Sequence, residues 1–236
     1  MAHSWGFFMR LLLTNDDGFD APGLNALWHA AEGLGQRHVI APDRCHSCGG
    51  HAITVHRPIR HARQSERGIA TDGTPADCVR LGLHGLIEAP DVVLSGINSG
   101  GNLGVDVYHS GTVAAAREAV FHGVTGIALS YYRASGHEFD WVAAVSHAAR
   151  ALQAILALPK VSGIVWNINL PSLAPGAPEP PLVFCEHRPS PLPVAFYRDE
   201  NGGFVYRGEY HQRERPPEGD VAACFSGAVA ISKILV

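Results

Sequence analysis

The sequence predicts an α/β fold: a Rossmann-like, three-layer core on a mostly parallel sheet, followed by a C-terminal hairpin and tail. Short apolar runs alternate with helix-length segments over residues 10–171. Those runs stop at polar, glycine-containing loops, where an open α/β sheet places its binding crevice. A proline-rich stretch at 172–183 then separates this alternation from two later extended segments. At 236 residues the chain suits one elaborate α/β domain or one domain with an appendage. The expected boundaries are a core at 9–172 and a C-terminal part at 173–236.

The elements follow in order. Residues 10–14, "RLLLT", read as a buried strand, followed by a polar loop and a helix from Pro22 to about Gly33. "RHVIAP" at 37–42 supplies a second strand with a proline stop, completing a βαβ beginning. "ITVHRPI" at 53–59 is a further extended candidate, paired antiparallel outside the parallel set. "TPADCVRLGLHGL" at 74–86 fits a helix with Thr74 as N-cap, Pro75 in the first turn and Asp77 completing a capping box. "APDVVLSGIN" at 89–98 is a strand ending in polar residues, "SGTVAAAREAVFHG" at 110–123 a small-residue helix, and "TGIALSYY" at 125–132 the next strand. A long alanine-rich helix at 140–158 and a strand at 162–171, "SGIVWNINLP", close the alternation. Beyond the prolines, 193–198 and 202–210 read as a projecting hairpin, and 221–235 as a final helix or strand packed back on the core.

Composition removes several function classes. A hydrophobic fraction of 46% argues against global disorder. A formal charge of -4, from 18 basic and 22 acidic side chains, offers no large positive field for long nucleic acid. The 14 histidines are scattered and include no HExxH pattern. Among the five cysteines, "CHSC" at 45–48 has the spacing of a redox pair or half a zinc site. No second close pair completes it, so the five read as incidental thiols in a reducing compartment. The start, "MAHSWGFFMR", lacks a long apolar stretch and a cleavage pattern, so neither secretion nor a membrane partner is expected and the cytoplasm is the default.

Polar residues cluster where strands end. Asp16 and Asp17 follow the first strand, and adjacent anions repel and are costly to desolvate. A divalent cation bound by both would offset that repulsion. Equally consistent is a structural account in which Asn15 and Asp17 stabilise a turn, Asp20 caps a helix and Asp16 is solvated. Ser47 follows the second strand and Asn98 a later one, and both can face the same crevice. A hydroxyl and an amide complete an oxygen shell suited to magnesium, manganese or calcium, with turn hydrogen bonds as the competing role. The segment 98–116, "NSGGNLGVDVYHSGTVAAA", has the character of an anion-binding loop opening a helix, with Ser110, Gly111 and Thr112 on the phosphate side or simply as helix caps.

Taken together, "LLTNDDGFDAPGL" at 12–24, "APDRCHS" at 41–47, "DGTPADCV" at 72–79, "SGINSGGNLG" at 95–104 and "SGTVAAA" at 110–116 resemble the SurE-like nucleotidases, the stationary-phase survival protein E family. The likeness runs over about 160 residues and extends to "WNINLP" at 166–171. The resemblance implies a divalent-metal phosphomonoesterase acting on nucleoside monophosphates, a 5'- and 3'-nucleotidase. It carries the metal ligands onto Asp16, Asp17, Ser47 and Asn98, with one magnesium or manganese ion per subunit, and places phosphate near Asn102 and the Ser110–Thr112 loop. It gives Asp16, Asp17 and Asn98 catalytic roles. It also implies a homodimer or homotetramer in which the C-terminal part mediates assembly.

The chain departs from the family pattern in three places. The SGxSH wording continues here as Ser47, Cys48, Gly49, Gly50, His51. The tail retains Asp220 but not the terminal "SxTPL"-like strand. The likeness starts near Met9, which makes residues 1–8 an extension or the product of a misplaced start codon. Alternatives from other classes are a phosphatase for another small ester or short polyphosphate, and a non-catalytic oligomeric nucleotide sensor. A receiver-like domain lacks the later phosphoacceptor arrangement, and a dinucleotide oxidoreductase lacks GxGxxG.

Overall fold

A computed structural model of the protein describes residues 9–236; residues 1–8, expected to be an extension or the product of a misplaced start codon, lie outside the described residues. The first strand, β1 (Arg10–Thr14), buries Leu11, Leu12 and Leu13 completely. Alternate side chains of a strand point to opposite faces, so a continuous apolar run requires cover on both. Leu11 and Leu13 join the core under α1 (Pro22–Ala30) and α5 (Trp141–Leu156). Leu12 joins the core under α2 (Pro75–Leu81) and α4 (Gly111–Phe121). Two helical layers thus enclose one sheet, in a Rossmann-like arrangement.

Parallel to β1 run β2 (Gln36–Pro42), β4 (Gly68–Thr71), β5 (Val92–Ser99), β6 (Thr125–Tyr131) and β7 (Ile164–Leu170). At one edge β3 (His61–Ser65) is antiparallel to β4; at the other, β11 (Val229–Leu235) is antiparallel to β7, and β8 (Leu182–Cys185) lies parallel to β11. The order is β3-β4-β2-β1-β5-β6-β7-β11-β8, nine strands among the described residues. Register gathers the strand ends that matter. Thr14 pairs with Ser95, Asn98 with Ser130, and Ser130 with Asn169. One C-terminal edge therefore carries the loops after β1, β5, β6 and β7.

Most expected elements form where the sequence places them, and three differences have physical causes. Residues 53–59 are an irregular, largely exposed segment instead of a strand. Pro58 lacks a ladder donor, and the Thr54 N–H donates to the Asp77 carboxylate at 3.0 Å. The antiparallel edge is instead β3 and β4, and β3 is exposed throughout, so no alternation marks it. Helix α2 has the expected capping box between Thr74 and Asp77 but ends at Leu81, followed by a wide turn at Gly82–Leu86. The C-terminal segment 221–235 is both a helix and a strand: α6 (Asp220–Phe225) followed by β11, which enters the main sheet. The hairpin forms as β9 (Phe196–Arg198) and β10 (Phe204–Tyr206), outside that sheet. Among the described residues no helix is long and apolar enough to cross a membrane.

Candidate active site

The loop after β1 is bent by its own side chains. Asn15, fully buried, donates from Nδ2 to the Gly18 carbonyl at 2.9 Å and accepts the Gly18 N–H at 3.3 Å. Gly18 sits at φ 110°, a conformation that favours glycine. This bend sends the two carboxylates to different neighbours. Asp16, buried, accepts from the Thr112 hydroxyl on Oδ1 at 2.5 Å. Asp17, half-buried, accepts the Ser99 N–H on Oδ2 at 3.0 Å, which binds the end of β1 to the end of β5.

Helix α4 aims its N-terminus at Asp16. Ser110 caps it, its Oγ accepting the Val113 N–H at 3.1 Å. A Cβ on Gly111 would lie 2.9 Å from Asp16 Cβ and 3.0 Å from its Oδ2, so only glycine permits this approach. The positive end of the helix dipole faces the carboxylate. Even so, desolvation raises the Asp16 carboxyl to about 6; the Thr112 hydrogen bond opposes the rise and the Asp17 charge adds to it. The protein thus buries a carboxylate that its own donors do not fully compensate.

The loop that carries Ser47 and the strand end that carries Asn98 are each tied to the aspartates through a neighbouring backbone N–H, that of His46 to Asp16 and that of Ser99 to Asp17. The His46 N–H donates to the Asp16 carbonyl at 2.7 Å, placing Ser47 one residue beyond this tie. The same loop is fastened to α4 by His51, whose Nε2 is 2.7 Å from buried Glu118, and the Gly50 N–H donates to the His109 carbonyl at 3.0 Å. The exposed Ser47 hydroxyl lies 2.9 Å from Cys45 Sγ. Asn98 donates from Nδ2 to the Gly100 carbonyl at 2.8 Å, leaving Oδ1 without a donor among the described residues.

Asn102 is braced from two strands, β6 and β7. Its N–H donates to Asn169 Oδ1 at 2.8 Å, and its carbonyl accepts from Asn167 at 2.9 Å and Asn169 at 3.0 Å. Its Nδ2 donates to Ser130 Oγ at 2.7 Å. Sequence reasoning missed these supports, although two asparagines inside the buried strand "WNINLP" were a signal, since buried amides need partners. It also missed the clamp from the C-terminal segment. Arg213, its side chain fully buried, donates to Asp106 Oδ2 at 2.6 Å, to the Leu103 carbonyl at 3.0 Å and to the Ser190 carbonyl at 3.1 Å. Tyr210 donates to Asp106 at 2.8 Å, and Asp220 accepts the Gly104 N–H at 2.9 Å. Asp106 lies in the short helix α3 (Asp106–His109), directly after the loop that holds Asn102.

Asp16, Asp17, Ser47 and Asn98 offer oxygen only, with two carboxylates and two neutral groups, a set that fits a hard divalent cation. Among the described residues no group of three or more His, Cys, Asp or Glu side chains is gathered to hold a metal. A cation held by this set would take its remaining ligands from neutral oxygens and water.

The profile of the family described as Survival protein SurE matches residues 11–184. A relative from Nostoc sp. is 48% identical over 229 residues, covering 97% of this chain and 100% of the relative. The chain belongs to the SurE family. The 5'-nucleotidase SurE of Geotalea daltonii is 47% identical over 176 residues, 74% of this chain and 71% of that protein. The crystal structure of the SurE protein from Aquifex aeolicus superposes with a TM-score of 0.84 at 31% identity, covering 96% of this chain and 93% of that one. The SurE profile ends within β8, yet the Nostoc alignment spans nearly the whole chain, so the relationship continues past the profile into the C-terminal segment.

Proposed function

We infer that this chain is a SurE-type 5'/3'-nucleotidase, a hydrolase that converts nucleoside monophosphates to nucleoside and phosphate. The observation that carries the inference is the pair of adjacent carboxylates at the end of β1, one of them buried against the N-terminus of α4 and left electrostatically undercompensated. Family membership supplies the chemistry, since relatives such as the Geotalea protein are named 5'-nucleotidases.

Asp16, Asp17, Ser47 and Asn98 would hold one divalent ion per subunit, magnesium or manganese. Such an ion supplies polarisation of a phosphoryl oxygen and a lowered pKa for a water. The protein's own groups do the rest. The Gly111 and Thr112 amides and the Ser110 hydroxyl, at the start of α4, receive phosphate oxygens and stabilise their growing charge. The Thr112 hydroxyl, engaged with Asp16, orients that carboxylate. Asn102, held rigidly by Ser130, Asn167 and Asn169, presents its amide without loss of loop entropy on binding.

Assembly as a homodimer or homotetramer completes this proposal. Every residue of β9 and β10 is exposed, including Phe196, Phe204 and Tyr206, and an isolated two-stranded hairpin is marginal in water unless another surface covers it. Light scattering after size exclusion would return a multiple of 25.2 kDa.

The activity is tested by phosphate release from a panel of 5'- and 3'-nucleoside monophosphates, sugar phosphates and short polyphosphates, with magnesium, manganese or chelator. Turnover of nucleoside monophosphates above the other esters is expected. Folded protein that releases phosphate from none of them, or only from the non-nucleotide esters, would sink the assignment.

A further inference from the structure

The loop that brings Ser47 to Asp16 also carries two thiols with no part in the core. Cys45 and Cys48 are exposed, whereas Cys78 and Cys224 are buried and Cys185 is half-buried. Burial pushes the Cys78 thiol up to about 12 and that of Cys185 up to about 11, which suppresses their thiolates. Oxidants in solution therefore meet Cys45 and Cys48 first.

Their placement is unusual in two independent respects. Cys48 holds φ at 58°, one of two non-glycine residues in the left-handed region among the described residues. A position whose backbone suits glycine thus carries a thiol. Cys45 Sγ, for its part, lies 2.9 Å from the Ser47 hydroxyl, so this thiol already touches the side chain expected to ligate the cation. The Gly49 N–H donates to the His46 carbonyl at 3.2 Å, folding residues 46–49, which carry Ser47 and Cys48, into a turn directly after Cys45.

We propose that Cys45 and Cys48 form a redox modification site, closed to an intrachain disulfide by a hydroperoxide, that withdraws Ser47 from the catalytic centre. This rests on the reading of Ser47 as a cation ligand. One thiolate attacks the peroxide O–O bond, giving a sulfenic acid and releasing an alcohol, or water from hydrogen peroxide. The second thiol attacks that sulfur, expelling water as the S–S bond forms. The two sulfurs together lose two electrons to the peroxide, and both thiol protons leave with its oxygens. Closure removes the Cys45 contact to Ser47 and fixes the turn that carries it. A dithiol reductant reverses the step by exchange.

The experiment treats the full chain with hydrogen peroxide and follows three quantities: the Cys45–Cys48 linked peptide by mass spectrometry, manganese affinity by calorimetry, and nucleotide turnover. The linked peptide should appear, manganese affinity and turnover should each fall about tenfold or more, and dithiothreitol should restore both. Cys48→Gly and Cys45→Ser should turn over like the untreated wild type and ignore peroxide. Absence of the linked peptide, or equal inactivation of Cys48→Gly, overturns the proposal. Ser47→Ala in parallel separates the two layers. If it binds manganese and turns over normally, the ligand reading fails; if it is impaired while the disulfide form is not, the switch alone fails.

Discussion

Replacing Asp16 by asparagine should make the metal-free protein more stable while abolishing its chemistry. The buried carboxyl is raised from 3.8 to about 6, chiefly by desolvation. Below pH 3.8 both folded and unfolded states hold the proton and the group contributes nothing unfavourable. As pH rises toward 6 the unfolded chain ionises first, so stability is lost across that window and stays lost at neutral pH. That rise, to about 6, corresponds to about 3 kcal/mol. Asparagine keeps an oxygen for the Thr112 hydroxyl and carries no charge, but its amide still needs burying, so the gain at pH 7.5 should be about 1–3 kcal/mol, or roughly 3–10 °C in Tm. Thermal unfolding in chelator from pH 5 to 8 measures it. Wild type should melt lower at pH 7.5 than near pH 5, Asp16→Asn should lack that slope, and manganese should stabilise only the wild type. A variant that melts at or below the wild type at pH 7.5 in chelator would refute the reasoning.

Two further substitutions probe the supports. Gly111→Ala places a methyl group 2.9 Å from Asp16 Cβ, and should destabilise by about 1–3 kcal/mol and cut turnover about tenfold or more, read by urea unfolding and phosphate release. Arg213→Met leaves the Asp106 carboxylate without its buried charge partner, and should cost about 3–5 kcal/mol in a urea midpoint shift, more than replacement of any exposed arginine of β9 or the hairpin.

The parallel core was legible because strands covered on both faces must be apolar without interruption, as in "LLL" of β1 and "VVL" of β5. Edge strands escaped because nothing covers them: β3, "HARQS", is exposed throughout and has no period to find. β8 emerges only where the prolines stop, and its pairing with β11 joins residues far apart in sequence. At the site, Asp16 and Asp17 were visible as carboxylates at a strand end, and Thr74 with Asp77 as a capping box, because those signals are local. The partners of Asn102 were not, since Ser130 and Asn169 reach it only through the register of β5, β6 and β7. Likewise a sequence separation of 107 positions between Asp106 and Arg213 hides a contact that local pattern cannot supply.

The account turns on a cation held by the paired aspartates, and phosphate release from a nucleoside monophosphate tests it most directly. Chelated wild type and Asp17→Asn are assayed side by side as manganese is added back. The wild type should be silent in chelator and recover with manganese, and Asp17→Asn, still folded, should stay about 100-fold lower. Turnover undiminished by chelator, or an Asp17→Asn enzyme as active as the wild type, would contradict it.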